Sequence, residues 1–334
     1  MPKASIIITT HNRPHLLPRA IRSARASGSE VEVVVVDDAS SDETAEVCQS
    51  VSGITYVRVE RNQGVAGARN IGLVASHGEY VSFLDDDDQR LPNSVDLQIE
   101  ILEKNPAAAL IYGQAIPEDA SGAQHPAYPA DCPQGDILWE LLTRNFIPCG
   151  GVVFRRACLS RVGLLDDGIS GIDDWDLWIR MAEIFPVAAI ETPVMIWRQP
   201  TRTSAQGSSC TIDLIEQGRH QFREHWLKLP RVASAPQHRR RAAWRNFSNN
   251  VSEHLAWETF SALGQFELRY AAKSASTALR LHPTAPLGVL RRWTSRSTLN
   301  TLLASSRSRD ELTNAKTHFK RIRSSRNLNE DTSL

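Results

Sequence analysis

Through the first two hundred residues, short β-branched runs alternate with segments whose apolar positions recur every three or four residues. Residues 5–9 (Ser-Ile-Ile-Ile-Thr) predict a strand. Residues 16–26 predict a helix with Leu17, Ala20, Ile21 and Ala24 on one stripe. Residues 31–36 are nearly all valine, the pattern of a parallel strand buried on both faces. Ser40-Ser41-Asp42-Glu43 then supplies caps and acids for a helix reaching about residue 50. Strands at 54–59 and 80–84, and helices at 67–75 and 94–105, continue the alternation. Such an order predicts an α/β sheet, mostly parallel, with right-handed crossovers. Ligands of these sheets sit beyond the carboxyl ends of the strands. Thr9, Asp38 and Asp85 all fall at such ends.

Further along, residues 118–133 are rich in Ala, Pro, Gly and His and read as a flexible loop near the site. Residues 152–155 predict another strand and 175–184 a helix. A Ser/Thr/Gly/Gln-rich stretch at 201–209 marks a boundary. Beyond it come helices at 211–226, 238–263 and 266–281. Residues 256–281, ended by His282-Pro283, resemble one tetratricopeptide-type helical hairpin, and one copy builds no solenoid. The expected organisation is an α/β catalytic domain at 1–205, a helical region at 206–312, and a basic tail at 313–334 read as disordered.

A chain of 334 residues fits one large domain or two modest ones, and 41% hydrophobic with 23% charged residues is ordinary for a globular protein. The zero net charge conceals an asymmetry. Residues 1–204 carry 17 Lys and Arg against 28 Asp and Glu, a net of −11, and 205–334 carry 21 against 10, a net of +11. The basic part points to one of three things: peripheral docking on an anionic membrane, pairing with the acidic part, or plain solvation. Nucleic acid is not an expected partner, because the arginines lack interleaved aromatics in a known module. No 18-residue apolar stretch predicts a membrane span, and residues 5–8 are too short and wrongly flanked for a signal peptide. Five cysteines without C-x-x-C spacing read as reduced thiols of a cytoplasmic protein.

The chemistry-bearing feature is Phe83-Leu84-Asp85-Asp86-Asp87-Asp88, a hydrophobic strand ending in four carboxylates. Adjacent like charges cannot all be desolvated without a counter-charge. One outcome is a solvated acidic loop. The other is a hard divalent cation, Mg²⁺ or Mn²⁺, completed by water and diphosphate oxygens. Three further segments accompany the run: Thr9-Thr10-His11-Asn12-Arg13; Asp37-Asp38-Ala39-Ser40-Ser41-Asp42; and Arg61-Asn62-Gln63-Gly64-Val65-Ala66-Gly67-Ala68-Arg69-Asn70-Ile71-Gly72. A fourth is Gly171-Ile172-Asp173-Asp174-Trp175-Asp176-Leu177-Trp178. In order and spacing these resemble the family 2 glycosyltransferases of the GT-A fold, over about residues 3–204.

That resemblance implies an inverting transfer of a sugar from a nucleoside-diphosphate donor, UDP-linked by preference, to a saccharide or lipid-linked hydroxyl acceptor in cell-surface glycan synthesis. By resemblance, Asp85 and Asp87 flank the metal, with Asp87 the favoured direct ligand, and Asp86 meets the ribose. Asp38 takes the nucleobase position, where a carboxylate can accept from a ring N–H. Thr9 ends the first strand, where it either meets the base or merely terminates the strand. Arg69 resembles the family's arginine beside the nucleotide, a surface salt bridge being its alternative, and Arg198 resembles one near the diphosphate. Asp174 is the general base an acceptor hydroxyl requires. Asp173 stands where the family often has Glu. Trp175, beside the base, reads as core or as a platform for a sugar ring, and Trp178 as core. Asp37 reads as structural and Asp88 as a capping or solvated acid. Two other functions remain: a nucleotidyltransferase, which would want a Gly-rich phosphate loop that Thr9–Arg13 lacks, and a non-catalytic sugar-nucleotide-binding module.

Overall fold

The computed structural model describes residues 1–169, 171–199, 211–264 and 266–281. The expected boundary near 205, the turn at His282-Pro283 and the basic tail lie outside these residues.

The chain opens with β1 (Ala4–Thr10), α1 (Leu17–Ala26), β2 (Val31–Asp37), α2 (Thr44–Ser50), β3 (Thr55–Arg58), α3 (Gly64–Ala75) and β4 (Tyr80–Asp85). A two-residue β5 (Gln89–Arg90) and α4 (Ser94–Lys104) follow, then β6 (Leu110–Glu118) and single-turn α5 (Leu138–Leu141). Next come β7 (Val152–Arg155), single-turn α6 (Leu159–Val162), α7 (Asp173–Ile184) and β8 (Val187–Arg198). One eight-stranded sheet results, in the order β3-β2-β1-β4-β7-β6-β8-β5. The first four strands pair in parallel, β7 lies antiparallel between β4 and β6, and β8 runs parallel to β6. The strand order reverses at β1, where β2 leaves to one side and β4 to the other. That is the switch point at which a parallel sheet opens a crevice.

Apolar burial follows the pattern of the residues. Ile6, Ile7, Ile8 and Val33–Val36 are all buried, as two-faced parallel strands require. The α1 stripe of Leu17, Ala20, Ile21 and Ala24 is buried as spaced. α3 lies unusually close to the sheet: a Cβ at Gly72 would overlap the Ile7 side chain and stand 3.2 Å from Val36 Cγ2. Glycine is required there by space, and it brings one face of α3 down onto β1 and β2.

The segment after β6 is not a free loop. It folds back so that Ala115 and Tyr128 exchange both main-chain hydrogen bonds, at 2.7 and 2.8 Å, and Glu118 bridges Gln124.

By packing, the first compact unit continues past the sheet to Phe247, and a second begins at Ser248. The first therefore holds α8 (Thr211–Glu224), a 3₁₀ turn at Trp226–Lys228, α9 (Pro230–Ser234) and the start of α10 (Gln237–Gly264). In the second unit α10 ends and α11 (Leu268–Leu281) follows, burying the small residues Ala271, Ser274, Thr277 and Ala278. The hairpin partner before α11 is thus part of a helix of 28 residues. Among the described residues no helix is long and apolar enough to cross a membrane.

Candidate active site

β1 and β2 end side by side, and the loops leaving them are sewn together. Asp37 is fully buried; its Oδ1 accepts the Ser40 N–H at 2.8 Å and its Oδ2 the Tyr56 hydroxyl at 2.7 Å. It is structural, as its position suggested. Asn12 adopts a left-handed conformation with φ 54°, which Asn tolerates better than most residues. Its N–H reaches Ser40 Oγ at 2.9 Å and its Oδ1 accepts the Ser41 N–H at 2.8 Å. Asp38 lies at this seam, 5% exposed, with Oδ1 accepting the Gln63 N–H at 2.6 Å. His11 donates from Nδ1 to the Asp38 carbonyl at 2.6 Å, since a carbonyl can only accept. Burial raises the Asp38 proton affinity, and the Gln63 and Gly64 N–H groups oppose that rise. Thr9 sits between Val36 and Asp85 in the sheet register, half-buried. Alternation sends Thr10 to the other face, where its hydroxyl bonds Asp86 Oδ2 at 2.7 Å.

The four aspartates have four different surroundings. Asp85 is the open one: its side chain is 39% exposed, with Arg69 Nη2 on Oδ1 at 2.8 Å. Asp86 is turned inward, its oxygens engaged by Thr10 and by Arg13 Nη1 at 3.0 Å. Burial is the largest influence on it and pushes its carboxyl up to about 6. Asp87 is also buried, with Arg13 on Oδ2 at 3.3 Å and Arg19 on its carbonyl at 3.0 Å. Asp88 is neither a cap nor solvated. It is 4% exposed, and Oδ1 accepts the Arg198 N–H at 2.8 Å. Burial and three neighbouring carboxylates push its proton affinity well up, so it pins the end of β8 to the acidic turn from inside. Arg198 comes to the site through this main-chain bond, with its side chain half-buried.

Arg69 joins this cluster to α7. It is 4% exposed, which excludes a surface pair, and its guanidinium forks: Nη2 to Asp85 and Nη1 to Asp173 Oδ2, both at 2.8 Å. The cation also lies 5.3 Å from the Phe83 ring centroid. Asp173 is 2% exposed and opens α7. Asp174 follows, partly exposed, with Oδ1 accepting the Trp175 N–H at 2.6 Å. Burial, and secondly the Asp173 charge, push the Asp174 carboxyl up to about 7, against the pull of Arg69. A carboxylate with that proton affinity suits general-base work near neutral pH.

Trp175 is not a sugar platform. It is buried, 5.0 Å from the Trp226 ring centroid and 6.2 Å from that of Phe247, and its indole N–H goes to the Leu141 carbonyl at 2.8 Å. Trp178 is core, against Phe83 and Phe154.

Arg13, Thr10 and Arg19 were given no role from sequence, yet they hold the inner aspartates. The signal was present: four adjacent acids in a half of net −11 need a cation, and Arg13 is the first one after the β1 strand end. As for a metal, among the described residues no three His, Cys, Asp or Glu side chains form a cage. The donor set fits a hard cation through Asp85, which presents its carboxylate to solvent; Asp87, buried with Arg13 on Oδ2, would join it only by turning outward.

Comparison with known proteins agrees with this geometry. Residues 5–163 match the family model described as glycosyl transferase family 2. A Haemophilus influenzae protein described as an uncharacterized glycosyltransferase is 29% identical over 279 residues, which are 80% of this chain and 87% of that one. Escherichia coli WcaA, provisionally described as a colanic acid biosynthesis glycosyl transferase, is 30% identical over 193 residues, 54% of this chain and 66% of its own. Other relatives are longer: a Rickettsia felis glycosyltransferase, also described as uncharacterized, is 31% identical, and the match spans only 32% of its length. Among solved structures, Staphylococcus aureus TarS residues 1–349 with UDP-GlcNAc superposes with a TM-score of 0.56 at 15% identity, covering 86% of this chain and 92% of that one. The matched region, residues 5–163, is of the glycosyl transferase family 2 type, and its sheet is of the GT-A type, followed by a helical C-terminal region.

Proposed function

We propose that this glycosyltransferase is inverting and metal-dependent, moving a sugar from a UDP-linked donor to a hydroxyl of a saccharide or lipid-linked acceptor. The observation carrying this reading is the Arg69 fork, 2.8 Å from Asp85 on one side and 2.8 Å from Asp173 on the other. It unites the open carboxylate of the strand ends with the helix that bears Asp174. The TarS structures in complex with UDP and with UDP-GlcNAc support the choice of donor, and the relationship to WcaA supports a role in surface polysaccharide synthesis.

In this reading Asp38 accepts from the nucleobase and the β1 end, at Thr9, lies beside it. Asp85 and Asp87 would hold Mn²⁺ or Mg²⁺, which supplies charge stabilisation for the diphosphate as it leaves. Arg198 adds positive charge near the same diphosphate. The acceptor hydroxyl gives its proton to Asp174 while its oxygen attacks the anomeric carbon. The bond from that carbon to the diphosphate oxygen breaks on the opposite face, its electron pair leaving with UDP, and the anomeric configuration inverts. No covalent enzyme intermediate is needed. Asp86 is engaged by Thr10 and Arg13 here, so a ribose contact requires that it turn outward.

UDP release from a panel of UDP-sugars, with Mn²⁺, Mg²⁺ or EDTA, tests the reading. Release from at least one donor, lost in EDTA, is expected. Calorimetry should show UDP binding more weakly in EDTA and an Asp87→Ala variant indifferent to the metal. Equal affinity with and without chelator would refute metal dependence.

The basic C-terminal part suggests peripheral contact with an anionic membrane surface, where each Lys or Arg contributes about 1 kcal/mol. Co-flotation with phosphatidylglycerol-containing vesicles at low salt is the expected result. Failure to float would leave the arginines as solvated or internally paired.

A further inference from the structure

The residues opening α7 point four ways. Asp173 goes to Arg69, and Asp174 is the partly exposed carboxylate. The next two, Trp175 and Asp176, are both buried, and both meet a single residue fifty positions on. Trp226, in the 3₁₀ turn after α8, is wholly buried. Its ring centroid lies 5.0 Å from that of Trp175, and its indole N–H donates to Asp176 Oδ1 at 2.8 Å. The other Asp176 oxygen accepts Arg180 Nε at 2.7 Å. Trp226 is itself backed by Phe222, with 6.1 Å between centroids, and Phe247 closes on Trp175. The first turn of α7 is thus fixed on one side by Arg69 and on the other by Trp226.

Helix ends fray unless tied, because their first N–H groups lack intrahelical partners. A carboxylate there must still be held within a fraction of an ångström to take a proton from a positioned hydroxyl. Two contacts to the residues directly after Asp174 meet that need, and the helical layer beyond the sheet supplies both.

We propose that Trp226 is a positioning residue for Asp174, holding the first turn of α7 through the Trp175 ring and the Asp176 carboxylate. The proposal rests on Asp174 being the general base. Trp226 is wholly buried, and it acts only through the helix.

The test uses the full chain and hydrolytic release of UDP from whichever UDP-sugar is hydrolysed fastest, water standing in for the acceptor. Trp226→Phe keeps a ring against Trp175 and removes the N–H that Asp176 accepts. Its kcat should fall about tenfold, the scale of a small misplacement of a catalytic group, with KM and the calorimetric affinity for UDP nearly unchanged. In an Asp174→Asn background the same substitution should cost nothing further, because the group it positions has lost its function.

Three results would overturn the proposal: wild-type kcat in Trp226→Phe; a fall in kcat matched by lost UDP affinity, which marks general structural damage; or the full loss repeated in the Asp174→Asn background. A wild-type kcat in Asp174→Asn itself would instead remove the base reading, and the proposal with it.

Discussion

At the ends of β1 and β2, Asp37 and Asp38 are held by partners near in the chain, Ser40, Tyr56 and Gln63. At the start of α7, by contrast, Asp173 and Asp176 are held by Arg69 and Trp226, 104 and 50 positions away in the chain. The first region is a local construction on parallel strands, stabilised chiefly by main-chain hydrogen bonds. The second is a long-range construction of buried ion pairs and ring contacts. Local contacts tolerate the loss of one partner better than a buried charge does. The helix region should therefore be fragile in turnover, and the β1–β2 seam around Asp37 and Asp38 robust in fold.

The sharpest way to break this contrast is Asp174→Asn. The substitution keeps shape and removes the proton acceptor, so turnover should fall roughly 10²–10⁴-fold. UDP affinity, which the proposed function assigns to the strand ends, should stay within about twofold. A parallel loss of both in calorimetry and steady-state kinetics would mean the two regions are not separable.

Next in size is Arg13→Gln, which leaves Asp86 and Asp87 buried without their cation. Removing one partner of a buried pair costs about 3–5 kcal/mol. The folded-state pKa of Asp86, about 6, already lies above its unfolded value, so the folded state binds its proton more tightly. Stability from this group is therefore present at low pH and lost as pH rises through about 6. Without Arg13 the loss should deepen, so urea unfolding should show a smaller deficit at pH 5 than at pH 8. An equal deficit at both would shift the cause from charge to packing.

The smallest effect is in the pH profile. As the proposed base, Asp174 must be ionised to accept a proton, and burial pushes its carboxyl up to about 7. Turnover should climb with pH to a half-maximal value near 7, with about a tenfold fall per unit well below it. A profile flat from pH 5 to 8 would place the base elsewhere, with Asp173 the first alternative.

The same contrast explains what could be read from the chain. β1, β2 and β4 announce themselves through unbroken Ile and Val runs, and the acids at their ends follow directly. β6 and β8 do not: Gly113 and Pro117 interrupt one, Pro193 the other, and the pairing slips between Tyr112 and Ala115. β5 is only two residues long. The place of Asp173 and Asp174 at the start of α7 was legible because they belong to a compact motif. That Trp175 belongs to an aromatic cluster was not, because Trp226 and Phe247 lie beyond the expected domain boundary. The burial of Asp88 also escaped, since its partner is a main-chain N–H at the far end of β8, which no spacing rule reaches.

Gly72 sets a standoff distance. It lies one turn after Arg69 on the same face of α3, where added carbon would collide with Ile7 in the sheet. The reach of the Arg69 guanidinium to two carboxylates is thus governed by how closely a helix rests on a hydrocarbon surface. A single methyl group at residue 72 would act as a shim, lifting α3 and drawing the cation away from Asp85 and Asp173 without altering any charge. In this protein, the electrostatics of the site are adjusted from the hydrophobic side of the helix.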